Sequence, residues 1–219
     1  MERKTATLIG ATGLIGSQIL QQLIDDADIR KIKVLVRRPF KFVHPKIELI
    51  QLDFADEVAY QAAIEGSDVV FCSVGTTLKQ VNSDMVAYRK IDYDIPVNAA
   101  RFCVATGCPK FLLVSPIGAN SQSSNFYLKL KGEVEEKIGS LGLPSVAIFR
   151  PSMLRGQRAE FRLGERVGQV LMGVLGFMIP KPYKAIDVKT VARAMIAAVK
   201  KETPGLAFYT YAEMVNLAS

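Results

Sequence analysis

Tryptophan is absent, histidine occurs once, and only three cysteines are spread over 219 residues. Each shortage excludes a class of chemistry. With His44 as the sole imidazole, a His-rich catalytic metal site is impossible, and a structural zinc site would have to gather several cysteines. A serine–histidine relay has the same single candidate, and Phe42-Val43-His44-Pro45 reads as a loop between strands with a solvated side chain. Cys72, Cys103 and Cys108 are odd in number and lie in apolar or helical stretches, unlike the even, spaced set of a secreted disulfide framework, so a reducing, cytoplasmic setting is expected. Long apolar runs are lacking too. The longest, 167–180, falls short of the roughly 20 residues a membrane span needs and is broken by Gly168, Gly173 and Gly176. Met1-Glu2-Arg3-Lys4 leads into no long signal-type apolar core, so neither a membrane span nor export is expected.

What is present is an ordinary globular composition, 49% hydrophobic and 22% charged, enough for one sizeable core. The net charge of +7 raises nucleic acid, a membrane surface or a small anion as its partner. Near-continuous apolar runs at Thr5–Ile9, Ile32–Val36, Ile47–Leu52, Asp68–Ser73, Phe111–Ser115 and Ser145–Phe149 have the character of parallel strands buried on both faces. Between them, Leu14, Ile15, Ile19, Leu20, Leu23 and Ile24 follow helical spacing, as do residues in Glu57–Ile64, Ser83–Ala105 and Phe126–Leu141. The alternation predicts an α/β, doubly wound parallel sheet of the Rossmann type, a single domain over 1–219. From about Pro151 the rhythm loosens into a glycine-rich amphipathic segment at Glu160–Phe177, a loop marked by Pro180 and Pro182, and a helix at about Asp187–Lys201. Residues 151–219 are therefore expected to add a small substrate-side cap.

The first strand ends in Gly10-Ala11-Thr12-Gly13-Leu14-Ile15-Gly16, a glycine run opening a helix. That context allows a tight turn, close approach of backbone to a pyrophosphate, and helix–strand packing, with free N–H groups at the helix start. Gly10, Thr12, Gly13, Leu14, Ile15 and Gly16 are thus candidate dinucleotide ligands. After the second strand, where an NAD-selective fold places a carboxylate for the ribose 2′-hydroxyl, stand Arg37 and Arg38; guanidinium forks suit a 2′-phosphate, so NADP(H) is expected over NAD(H). Asp53 and Phe54 follow the third strand, where the adenine edge would pass, though Asp53 would serve equally as a helix cap. Ser73, Val74, Gly75 and Thr76 form a small-residue loop after the fourth strand, beside the glycine turn in this topology.

The fifth strand ends at Ser115, and Tyr127 and Lys131 follow four residues apart, on one face of the next helix. A phenol near pKa 10 becomes a useful acid–base when an ammonium and a positive nicotinamide ring favour its anion. The expectation is that Lys131 acidifies Tyr127 and holds the nicotinamide ribose, that Tyr127 exchanges a proton with a substrate oxygen, and that Ser115 hydrogen-bonds the same oxygen.

These motifs, with Val114-Ser115-Pro116-Ile117-Gly118-Ala119, Ser124-Asn125-Phe126-Tyr127, Lys131-Gly132-Glu133 and Phe149-Arg150-Pro151, make the chain resemble the short-chain dehydrogenase/reductase superfamily in its atypical and extended branches. It is most similar to the NmrA-like group, and within it to the Tat-interacting oxidoreductase-like proteins. The resemblance spans nearly the whole chain and implies NADP(H), a Ser115, Tyr127, Lys131 triad, and Pro151 near the nicotinamide. Many members add a catalytic asparagine upstream of the serine. Asn98 is the nearby candidate, but it lies closer to Ser115 than that pattern wants, and the role is not carried over.

The leading expectation is an oxidoreductase acting on a small carbonyl or alcohol; the alternative is a dinucleotide-binding redox sensor that acts through a protein partner. Leu154, Phe161, Leu171, Leu175, Phe177 and Met178 would give an apolar wall or simply core. Arg155, Arg158, Arg162 and Arg166 recur at helical spacing and make a basic helical face, which reads as a solvated face of the cap helix rather than a nucleic-acid site.

Overall fold

Parallel strands bury both faces only if helices cover each side, and the order of elements meets that demand. The computed structural model describes residues 3–155, 184–201 and 203–219. The first half runs β1 (Lys4–Ile9), α1 (Leu14–Asp25), β2 (Ile29–Val36), β3 (Ile47–Gln51), α2 (Glu57–Ile64) and β4 (Val69–Cys72). Next come α3 (Met85–Arg89) and α4 (Ile95–Thr106), joined without a break by a π-helical turn at Lys90–Asp94, and then β5 (Lys110–Val114), α5 (Phe126–Gly139) and β6 (Ser145–Phe149). A short bridge pairs β7 (Leu154–Arg155) with β8 (Ile186–Asp187), before α6 (Val188–Val199), β9 (Gly205–Tyr209) and α7 (Tyr211–Ala218).

Seven strands form one sheet in the order β3-β2-β1-β4-β5-β6-β9, every neighbouring pair parallel. The doubly wound α/β expectation is met. One core lies between the sheet and α1, α6 and α7, built on Leu8, Ile19, Leu23, Val191, Met195 and Met214. The other lies between the sheet and α2, α4 and α5, built on Ile9, Tyr60, Phe102, Phe111, Val134 and Ile138. Strand order reverses between β1 and β4, the point at which such sheets open a crevice at their carboxyl ends.

Two features differ from the sequence expectation. Ile47–Gln51 is an edge strand, half-buried or exposed throughout, because β2 is its only neighbour. Its apolar run marks pairing rather than a central position. The helix expected at about Asp187–Lys201 runs Val188–Val199 but packs on α1, and β9 and α7 follow it, so 186–218 completes the sheet and its flank instead of roofing a site. The rest of the expected cap, the segment 160–177 and the loop at Pro180 and Pro182, lies outside the described residues. No helix among the described residues is long and apolar enough to cross a membrane.

Candidate functional site

At the switch point Ile9 of β1 stands beside Cys72 of β4, so the loops leaving the two strands touch. Ser73 Oγ donates to the carbonyl oxygens of Ile9 at 3.3 Å and of Gly10 at 3.4 Å, which makes it a brace for the glycine turn. Gly10 takes φ +93°, and the Gly13 N–H closes the turn onto the Gly10 carbonyl at 3.0 Å. A Cβ on Gly16 would come within 2.0 Å of that same carbonyl, so only glycine lets α1 start this close to the strand end. Helix α1 begins with no side-chain cap and no acidic residue in its first turn. The N–H groups of Leu14, Ile15 and Gly16 meet no acceptor among the described residues, while Ile15 and Gly16 are buried and Leu14 packs against the core. Leu14 and Ile15 thus offer a ligand their backbone alone, and Thr12 and Gly13 stand exposed beside them. Unpaired amides, a positive helix end and a Cβ-free approach fit a pyrophosphate.

Arg37 and Arg38 leave β2 exposed, with no ion-pair partner among the described residues. Arg37 lines a cavity of about 590 Å³ with Gln51, Leu52 and Asp53, which brings the predicted phosphate-side cation and the predicted adenine-edge residue to one place; Arg38 is not part of that lining. Asp53 is not the cap of α2. Its Oδ1 accepts the Ala55 N–H at 3.0 Å, and Asp56 holds the cap by accepting from Ala59. The Phe54 side chain is corrected from ligand to core: it is buried and meets Tyr60 edge-on at 4.7 Å between centroids, leaving only its backbone to face a ligand.

Ser115 follows β5 directly. Its N–H donates to the Phe149 carbonyl at 2.8 Å, yet its Oγ, in a residue 2% exposed, has no hydrogen-bond partner among the described residues. A buried hydroxyl left unpaired costs about 1–3 kcal/mol, and a ligand oxygen would relieve it. Pro151, buried just beyond β6, accepts the Ile117 N–H at 3.0 Å and so ties the loop after Ser115 to the end of the next strand. That loop is fastened to α5 by the Asn120 N–H on the Leu128 carbonyl at 3.0 Å, and Asn125 caps the helix by accepting from Leu128. Tyr127 in the first turn of α5 is 40% exposed, and Lys131 one turn later is 5% exposed.

Lys131 is not the isolated ammonium the sequence suggests. Its Nζ lies 2.7 Å from Oδ1 of Asp92, which sits fully buried in the π-helical turn before α4. Oδ2 of the same carboxylate accepts the Thr76 N–H at 2.8 Å, so Thr76, half-buried, faces Asp92 with its backbone, while Val74 and Gly75 leave β4 beside it. Partial burial and then the negative field of Asp92 push the Tyr127 hydroxyl up to about 12. In the protein alone, then, burial first and Asp92 second act on Tyr127 in the direction opposite to the one expected from the Tyr127 and Lys131 spacing. Burial also drives Cys72 up to about 11, with Lys131 and Asp92 acting on it in opposite directions.

Asp92 is the residue sequence reasoning missed, and Asn98 lies further on, half-buried within α4. A signal existed. Tyr88, Asp92, Ile95, Ala99 and Cys103 share the buried stripe of this helix, and a carboxylate on an apolar stripe demands a partner. Outside this site, His44 accepts the Lys46 N–H on its Nδ1 at 3.2 Å in a local turn, and no cluster able to hold a metal occurs among the described residues.

Comparison with known proteins agrees with this geometry. Residues 10–202 match a family described as NAD(P)H-binding. Protein HTATIP2 of Rattus norvegicus is 33% identical over 199 residues, covering 90% of this chain and 81% of its own length. Protein FMP52-1 of Scheffersomyces stipitis is 32% identical over 224 residues, covering 97% and 98%. Among solved structures, the Bordetella bronchiseptica enzyme WbmH in complex with NAD+ superimposes with a TM-score of 0.72 at 16% identity, over 95% of this chain and 76% of that one, a likeness of fold. FMP52-1 is named mitochondrial, as are further relatives of that name, and this overturns the cytoplasmic expectation. The cysteine argument spoke only to redox state; the three thiols are indeed free and buried, but that condition does not single out one compartment.

Proposed function

This chain belongs to the NAD(P)H-binding family and is an oxidoreductase-like protein of the extended short-chain dehydrogenase/reductase type, and from that premise we propose that it is an NADP(H)-dependent reductase of a small carbonyl compound. The single observation that carries the reading is the buried Ser115 Oγ at the carboxyl end of β5, unpartnered among the described residues, followed by Tyr127 and Lys131 on α5. The glycine turn and the amides of Leu14, Ile15 and Gly16 would hold the pyrophosphate, Arg37 with Arg38 the 2′-phosphate, and Lys131 the nicotinamide ribose. When bound, the reduced dinucleotide supplies the hydride that converts the carbonyl carbon to that of an alcohol.

Ser115 donates its hydrogen bond to the substrate oxygen and fixes it. Tyr127 passes its proton to the same oxygen as the carbonyl double bond opens, and is then reprotonated from solvent. Pro151, buried beyond β6, closes the neighbouring wall. Part of the +7 charge thus serves to draw in and grip a phosphorylated anion.

The test is direct: purified protein is titrated with NADPH and NADH, and NADPH consumption is followed with a panel of carbonyl compounds. The double variant Arg37→Ala, Arg38→Ala should bind NADPH roughly 10- to 150-fold more weakly, the equivalent of one charge-assisted contact, while NADH affinity moves less than about twofold. Unchanged selectivity would refute the arginine assignment. Tight NADPH binding with no oxidation by any carbonyl would favour the sensor reading instead.

A further inference from the structure

We propose that Asp92 is a positioning residue for the nicotinamide half of the dinucleotide: one carboxylate oxygen fixes the Lys131 ammonium and the other fixes the Thr76 amide, so that α5 and the loop after β4 meet the ligand in one arrangement. The inference rests on the reading above that Lys131 holds the nicotinamide ribose, and it adds a residue that neither the glycine turn nor the Tyr-Lys spacing points to.

The contacts are short and enclosed. Lys131 Nζ lies 2.7 Å from Oδ1 of Asp92, and the Thr76 N–H donates to Oδ2 at 2.8 Å. Gly75 lies against the same carboxylate, since a Cβ there would stand 3.8 Å from Oδ1. Asp92, fully buried, thus meets two successive residues of the loop and one of α5. Among the ion pairs of the described residues, it forms the one in which both side chains are below one-tenth exposure, 6% for Lys131 and 1% for Asp92.

Burial decides what such a pair supplies. Two charges withdrawn from water are often no more stabilising than apolar side chains of similar volume, whereas either charge left alone there is strongly unfavourable. Each therefore confines the other. Lys131 has a long, flexible stem that would otherwise carry its head group toward water, and Asp92 keeps that head group beside the loop at the end of β4. The hold leaves the ammonium usable: Oδ1 takes no aligned hydrogen bond among the described residues, so the attraction is one of charge and N–H groups of Lys131 remain for ribose hydroxyls. The carboxylate comes from the π-helical turn at Lys90–Asp94, and wide turns of this kind within helices are frequent at functional sites.

The experiment reads binding alone, with two ligands. NADPH carries both halves of the dinucleotide; adenosine 2′,5′-bisphosphate carries the adenine, its ribose and the 2′-phosphate but no nicotinamide ribose. In calorimetric titration of the full-length protein, Lys131→Met should weaken NADPH roughly 10- to 150-fold, the equivalent of one charge-assisted hydrogen bond, and move the bisphosphate by less than about twofold. Asp92→Asn, which keeps the side-chain shape and an acceptor for Thr76, should weaken NADPH by about tenfold or more and likewise spare the bisphosphate. Because Asp92 acts through Lys131, the double variant should bind NADPH within about twofold of Lys131→Met alone. The proposal is overturned by an Asp92→Asn protein that binds NADPH like wild type, that loses both ligands in parallel as a merely structural defect would, or whose loss multiplies with that of Lys131→Met. The Thr76 contact is read in the wild-type protein, whether or not the variant folds: its amide should exchange with deuterium far more slowly than an open loop amide, and exchange at the open rate overturns the proposal as well. Failure of the underlying reading shows separately, as a Lys131→Met protein with wild-type NADPH affinity, or as NADPH binding without carbonyl reduction.

Discussion

Replacing Tyr127 by Phe should lower kcat for carbonyl reduction by about 10²–10⁴-fold, the range that one positioned general acid contributes. The substitution removes one oxygen and leaves the ring in its place in the first turn of α5, so folding should be unaffected. NADPH affinity should fall by less than about tenfold, the equivalent of one neutral hydrogen bond. The pH profile gives a second check. With its midpoint pushed to about 12 by partial burial and Asp92, Tyr127 carries its proton at every lower pH. Reduction, which consumes that proton, should therefore run without a tyrosine-dependent fall through the neutral and mildly alkaline range and decline only as pH approaches 12. Alcohol oxidation needs the phenolate and should rise over the same interval. Stopped-flow NADPH oxidation, compared between wild type and Tyr127→Phe across pH, reads both effects. A Tyr127→Phe enzyme that turns over at the wild-type rate would remove the proposed acid.

The parts of this site that could be read from sequence are those attached to strand ends. Gly10, Arg37, Asp53, Ser73 and Ser115 each follow a short apolar run, and parallel pairing brings all such ends to one edge of the sheet, so their association needs only the topology. Asp92 escaped because it belongs to a helix, where its neighbours are decided by packing against α5. The direction of the Tyr127 shift escaped for the same reason: the Tyr127 and Lys131 spacing is visible, but the burial of the hydroxyl and the nearness of a carboxylate 39 positions upstream of Lys131 are not. Phe54 was misread because adjacency to a functional strand end does not say which way a side chain points, and the ring turns into the core against Tyr60. β9 was missed because it is a five-residue edge strand with Leu206 and Phe208 exposed, carrying little of the continuous apolar signal that central strands show.

The Lys-Gly-Glu sequence after Tyr127 holds a second large effect. Gly132 is buried in α5 next to Lys131, and a Cβ there would lie 2.1 Å from the Ser121 nitrogen and 2.2 Å from the Asn120 carbonyl carbon. Both are backbone atoms of the loop between Ser115 and the helix, so neither can swing aside as a side-chain tip would. Gly132→Ala must push the helix and the loop apart, which disturbs the Asn120 to Leu128 bond and separates Ser115 from Tyr127 and Lys131. A destabilisation of about 3 kcal/mol is expected, at the upper end of ordinary overpacking. For a domain of this size it corresponds to a melting temperature lower by roughly 6–12 °C. Gly139 on the same helix supplies the control. Its Cβ would meet only the Leu206 Cδ2 tip at 3.0 Å. There the gain in helix propensity of about 1 kcal/mol should offset the contact, leaving Gly139→Ala within about 2 °C of wild type. Calorimetric melting of the two variants separates a close backbone approach from a general intolerance of α5 to alanine. If Gly132→Ala melts with Gly139→Ala, the helix and the loop are not held as tightly as the geometry of the site requires.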